Sequence, residues 1–174
     1  MEIRLDQLGD PRFIWRETLE LTPDELAHED LLDIGPIDCR GSIDTTLSGF
    51  VLRLNLRYEQ TLSCVRCLGE IQTEVNPELD FLLESQSADE DGEIEEEVGL
   101  EREDLGVLML STPLLDTRPL VVEQVQLGLP MKSLCKKNCA GLCGSCGSDL
   151  NKGPCDCEAE VDPRWAALKG LSKG

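Results

Sequence analysis

Between residues 47 and 62 the apolar side chains fall on alternate positions: Phe50, Leu52, Leu54 and Leu56 are separated by Val51, Arg53, Asn55 and Arg57. A period of two marks a strand with one buried face. A second run, Ile71 to Leu83, repeats the pattern. Ile71, Thr73 and Val75 alternate with Gln72, Glu74 and Asn76, and Leu79-Asp80-Phe81 continues past Pro77. Between the two runs lie Cys64 and Cys67, so the pattern predicts an antiparallel hairpin with a cysteine pair at its bend.

Elsewhere the pattern is weaker. Ile3 and Leu5 alternate like a short strand, residues 1–30 are otherwise mixed, and Leu31–Ile34 and Gly41–Asp44 read as short extended pieces. Thr22 followed by Pro23 predicts a helix start, Thr22 capping and Pro23 in the first turn. Leu105–Leu110 reads as a strand. Thr117–Leu127 reads as a helix whose residues 121, 122, 125 and 129 share one face, stopped by Gly128-Leu129-Pro130. A last helix is expected from Asp162 to Leu171, with Asp162 as cap and Pro163 in first position. The expected fold is α+β: an antiparallel sheet with a packed helix over residues 1–134, then a cysteine-rich, zinc-stapled tail over 135–174.

Composition changes this picture in one respect. The chain carries 35 acidic and 16 basic residues, a formal charge of −19, and six aromatic side chains. Such a surface repels phosphate and anionic lipid and attracts basic proteins. Stacking platforms for unpaired bases are nearly missing. Residues 84–104 hold 11 acidic side chains and one basic one, Arg102, and read as a solvated loop. Met1–Asp6 contains no apolar run, and nowhere do about 20 apolar residues follow one another. A cytosolic protein with no membrane contact is expected, and in that compartment thiols stay reduced.

Eight of the nine cysteines fall in tight groups: Cys64 and Cys67 at the hairpin bend, then Cys135, Cys139, Cys143, Cys146, Cys155 and Cys157. Two thiolates two or three residues apart on a turn can point at one ion about 2.3 Å away, and four make a closed tetrahedral zinc site. The last four form a local CxxC-x8-CxC unit, which closes at least entropic cost. That leaves Cys64 and Cys67 to join Cys135 and Cys139. Two structural Zn2+ sites are therefore expected. Two alternatives stay open. A redox CxxC belongs at a strand-to-helix junction in an alternating βαβ pattern, which is missing here. Iron–sulfur ligation is also possible with eight cysteines, although CxC and CxxC knuckles beside glycine turns suit zinc better. Cys39 stands alone and reads as an ordinary buried or half-buried thiol. The single histidine, His28, lies in an acidic, poorly patterned stretch and is expected to be a solvent-facing helix residue. No phosphate-binding glycine loop is present. No catalytic residue, no enzymatic activity and no small-molecule substrate are expected.

Cys64-Val65-Arg66-Cys67-Leu68, the run from Leu120 to Cys135, Gly141-Leu142-Cys143, Cys146-Gly147, Leu150-Asn151 and Asp162–Leu168 together resemble the YceD family of large ribosomal RNA subunit accumulation proteins. The resemblance covers residues 45–174 well and the earlier ones loosely. It implies a role in synthesis, processing or stability of large-subunit (23S) ribosomal RNA. It further implies a first site built from Cys64, Cys67, Cys135 and Cys139, with the second an optional addition. Joined to the charge, it gives two expectations. In one, the acidic chain binds a basic ribosomal or assembly protein and meets rRNA only indirectly. In the other, Lys132, Lys136, Lys137 and Lys152 on the knuckles meet rRNA phosphates directly.

Overall fold

The computed structural model describes residues 1–46, 49–85 and 106–157. Nearly all of the expected acidic loop, and the whole expected helix at 162–171, lie outside the described residues. The chain divides into two compact units, one made of residues 1–62 and 72–131, the other of 63–71 and 132–174.

In the first unit the strands are β1 (Glu2–Arg4), β2 (Arg12–Leu19), β3 (Leu31–Ile34), β4 (Ile37–Thr46), β5 (Gly49–Ser63), β6 (Glu70–Val75), β7 (Glu78–Ser85), β8 (Val107–Leu110) and β9 (Leu114–Asp116). The turn between β5 and β6 belongs to the second unit. Two α-helices, α1 (Pro23–Leu26) and α2 (Thr117–Gly128), and a one-turn 3₁₀ helix at Leu5–Gln7 complete the described elements. The main sheet runs β2-β4-β5-β7-β8, with β3 and β6 also pairing with β5, while β1 and β9 form a separate ribbon. The α+β architecture is the expected one. Pairing is antiparallel from β2 through β7, and β8 joins β7 in parallel. A parallel neighbour needs a connection of a dozen residues or more, and the stretch between Ser85 and Val107 supplies that length.

The 15-residue β5 is the spine. Its Leu52, Leu54, Leu56, Tyr58, Gln60 and Leu62 are buried, and the residues between them lie on the other face. Against that buried face the core gathers Ile37, Cys39 and Ile43 of β4 with Leu120, Val121 and Val125 of α2. Asp116 caps α2 by accepting the Arg118 backbone N–H at 3.1 Å. At α1 the expected cap forms: the Glu25 carboxylate accepts the Thr22 backbone N–H at 2.8 Å.

β2 was not legible in the pattern. Its Phe13, Trp15 and Leu19 lie on the core side, but Ile14 on the other side is 68% exposed and spoils the alternation. Trp15 is buried beside Gly41, its cross-strand partner. A Cβ at residue 41 would stand 2.1 Å from the indole ring, so glycine is what lets the ring lie down.

Candidate metal centres

The second unit is built around two copies of one turn. In the first, the Cys64 N–H donates to the Gly69 carbonyl at 2.9 Å and the Leu68 N–H to the Cys64 carbonyl at 2.8 Å. In the second, the Cys143 N–H donates to the Ser148 carbonyl at 2.8 Å and the Gly147 N–H to the Cys143 carbonyl at 2.9 Å. Both turns place the residue after the second cysteine in the left-handed region: Leu68 at φ 59° and Gly147 at φ 74°. The shared path folds the two thiols of each CxxC toward one point while backbone N–H groups face the sulfurs.

Each turn meets a second cysteine pair. The sulfurs of Cys64, Cys67, Cys135 and Cys139 all lie within 4.8 Å of one another, and so do those of Cys143, Cys146, Cys155 and Cys157. Within the first group, Cys64 and Cys139 are 3.8 Å apart and Cys67 and Cys135 3.6 Å. A disulfide would need about 2.05 Å. A tetrahedron with metal–sulfur bonds of about 2.3 Å has an edge of about 3.8 Å. The spacing therefore matches four ligands of a single ion, and each group could hold one. Thiolates of a multi-iron cluster sit on different metals and stand further apart. The groups differ in exposure: Cys64 and Cys139 are buried in the first, whereas Cys146 and Cys157 of the second are exposed.

The electrostatics also call for a cation. The Cys135 backbone N–H leads in drawing the Cys64 thiol down to about 6, helped by the N–H groups of Cys67 and Arg66. The Ser148 hydroxyl, then its N–H, draw Cys146 down to about 6. The neighbouring Cys146 sulfur in turn drives Cys157 up to about 12. Thiolates so close together repel, and four of them are ionised at once only around a positive charge.

Several residues that the sequence did not single out hold this arrangement. The Asn151 side-chain amide donates to Cys139 Sγ at 3.3 Å, its oxygen accepts the Ala140 N–H at 2.9 Å, and its own N–H donates to Asp149 at 2.9 Å. Asn151 lies in the loop between Cys146 and Cys155, so a residue of the second group's loop supports a sulfur of the first. Arg66 donates to the Cys139 carbonyl at 2.9 Å and accepts the Leu142 N–H through its own carbonyl. Gly141, at φ 77°, lets that contact form, since a Cβ there would stand 3.0 Å from the Arg66 oxygen. The Val65 N–H donates to the Ser133 carbonyl at 2.9 Å, tying the first turn to the segment before Cys135. The signal for Asn151 was its place in a polar turn, which spacing rules do not separate from an ordinary loop asparagine.

Cys39 takes part in neither group. It is buried in β4, and burial pushes its thiol up to about 12. His28 is half-buried and lies past the end of α1 rather than on a helix. No helix among the described residues is long and apolar enough to cross a membrane.

A family model described as "Large ribosomal RNA subunit accumulation protein YceD" matches residues 52–172, well over half of the chain. Among curated proteins, uncharacterized proteins of Mycobacterium tuberculosis and Mycobacterium bovis are each 32% identical over 107 residues, 60% of this chain and 47% of the relative. One from Mycobacterium leprae is 29% identical over 108 residues, 62% of this chain and 46% of the relative. The chain thus spans about half the length of the curated relatives it matches. No solved structure matches it significantly.

Proposed function

The chain belongs to the YceD family, and on that premise we propose that it is a non-catalytic, zinc-stapled factor that supports accumulation of large-subunit rRNA by holding a basic ribosomal or assembly protein. The observation that carries the metal assignment is the donor set. Both groups are four cysteine sulfurs at single-ion spacing, with no histidine or carboxylate among them. Four thiolates suit Zn2+ and close its coordination, leaving no position for water or substrate. When bound, Zn2+ supplies a crosslink whose binding energy is folding energy for the second unit. The protein works in the cytosol, where these thiols stay reduced.

The protein partner is argued from charge. A formal charge of −19, with 11 acidic residues in 84–104, attracts a basic partner and steers the encounter in a salt-sensitive way. Two measurements test the reading. Elemental mass spectrometry of protein purified without added metal should find two zinc ions per chain, with Cys64→Ser and Cys155→Ser each removing one. Deleting residues 84–104 should weaken capture of a basic large-subunit protein while zinc content stays at two. Iron in place of zinc, or capture indifferent to the deletion, sinks the corresponding half of the proposal.

A further inference from the structure

The two cysteine groups share a donor set but are not held in the same way. In the first, hydrogen bonds join the two halves of the centre directly. The Val65 N–H donates to the Ser133 carbonyl at 2.9 Å, the Leu142 N–H to the Arg66 carbonyl at 3.1 Å, and the Arg66 guanidinium to the Cys139 carbonyl at 2.9 Å. These bonds fix the Cys64–Cys67 turn against the segment that carries Cys135 and Cys139. Cys64 and Cys139, one from each half, are 0% and 3% exposed. Cys135 is exposed, but the sulfur facing it at 3.6 Å belongs to half-buried Cys67, on the fixed turn.

In the second group the halves meet through sulfur. The Cys143–Cys146 turn is closed by its own bonds to Ser148 and Gly147. Among the described residues, no bond between backbone groups ties residues 154–157, the arm that brings Cys155 and Cys157, to that turn. Cys146 and Cys157 are exposed and Cys143 and Cys155 half-buried, so no member is sealed from solvent. The four sulfurs lie within 4.8 Å of one another, and a disulfide at about 2.05 Å asks for an approach of at most about 3 Å. The arm can supply that approach. In the first group any such movement pulls on the bonds that join its halves.

We propose that the second group is a thiol–disulfide modification site: a peroxide joins Cys146 to Cys157 and the centre gives up its ion, while the first centre keeps its own. The inference rests on the reading that both groups hold zinc. Solvent-accessible sulfur with a second sulfur poised beside it is what peroxide oxidises first, and Cys146 and Cys157 are the two exposed members of the group. In the first step the Cys146 sulfur attacks the peroxide. An S–O bond forms as the O–O bond breaks, and the departing oxygen takes two electrons and a proton and leaves as water. In the second step the Cys157 sulfur attacks the Cys146 sulfenic acid. The S–S bond forms, and the oxygen takes a proton and leaves as a second water. Two thiolates, one hydrogen peroxide and two protons thus give one disulfide and two waters. Two of the four ligands are spent, and the pair that remains cannot close a tetrahedral site. A dithiol reductant reverses the step by exchange.

The test treats the full zinc-loaded chain with hydrogen peroxide while a chromophoric chelator reports released zinc and mass spectrometry maps the disulfides. One ion per chain should leave about tenfold faster than the other, in step with a Cys146–Cys157 disulfide. Dithiothreitol with added zinc should restore both ions. Cys64, Cys139 and the core thiol Cys39, all buried, should stay reduced through the fast phase. Cys157→His keeps a fourth zinc ligand but removes the second sulfur, so its fast phase should slow about tenfold. Should that variant fail to load, the disulfide map of the native chain still decides. Release of both ions at one rate, earlier loss from the first centre, or a first disulfide at Cys67–Cys135 or Cys143–Cys146 overturns the proposal. Zinc content is measured before peroxide is added, so a chain without zinc refutes the metal reading itself, whereas the order of release refutes this inference alone.

Discussion

Replacing Asn151 with alanine tests whether the two cysteine groups are energetically linked. In the folded unit the Asn151 side chain makes one bond to Cys139 Sγ at 3.3 Å and one to the Ala140 N–H at 2.9 Å. At about 1 kcal/mol net for each, their loss removes about 2 kcal/mol. On the proposed reading, in which the unit folds around its metal, that loss falls on metal binding. At about 1.4 kcal/mol per tenfold, the first site should bind its ion about 30-fold more weakly. Partners that orient metal ligands are generally worth 10- to 100-fold, an independent route to the same size. The assay is competition for zinc against a chromophoric chelator, run on native protein and on Asn151→Ala, each with Cys155→Ser added so that only the first site is read. The reasoning is refuted if Asn151→Ala shifts the first site less than about threefold. It is refuted equally if, with the first site disabled by Cys64→Ser, the substitution weakens the second site as much.

Three further outcomes follow from the geometry. Stripping the metal with a strong chelator should abolish hydrogen-exchange protection at the Val65, Leu68, Leu142 and Leu150 amides, which bond within the second unit, while β4 and β5 amides keep theirs. Leu68→Gly should stabilise the second unit by about 0.5 kcal/mol, because left-handed backbone costs a side-chain-bearing residue about 1–2 kcal/mol and glycine returns part of that as unfolded-state entropy; thermal melting reads it, and a lowered melting point counts against the strained turn. Arg16, first by its hydrogen bond, holds the Asp38 carboxyl below its ordinary 3.8. A depressed carboxyl contributes fully above its unfolded value and loses that contribution as pH falls through the folded one, so Asp38→Asn should lose less stability than the native chain between pH 5 and pH 2 in urea titrations.

What the sequence made legible was whatever repeats at a fixed period or spacing. β5 and α2 announce themselves because their buried positions recur every two or every three to four residues, and β6 and β7 because their apolar residues alternate in the sequence even where they are only half-buried. The cysteines stand out because thiols paired at knuckle spacing have few uses besides metal ligation and redox chemistry. β2 escaped because exposed Ile14 sits where a polar residue would have kept the alternation, and β9 because three residues carry no period. Asn151, Ser148 and Arg66 escaped for a different reason. Each acts through one directed bond to a sulfur or to a backbone carbonyl beside it, and a directed bond leaves no trace in periodicity.

The two cysteine groups differ in how far apart their members lie along the chain, and synthesis on the ribosome makes that a difference in time. Cys143 to Cys157 emerge almost together. Cys67 precedes Cys135 by 68 residues (135 − 67), which at about 5–20 residues per second is about 3–14 s. Throughout that interval the nascent chain presents a bare pair of thiols two residues apart, with no second pair to complete the tetrahedron. The interval is long enough for an oxidant to reach the pair before its partners arrive. On the proposed metal reading, the first centre is therefore exposed to oxidation during synthesis in a way that the second is not, a difference set before the protein has folded.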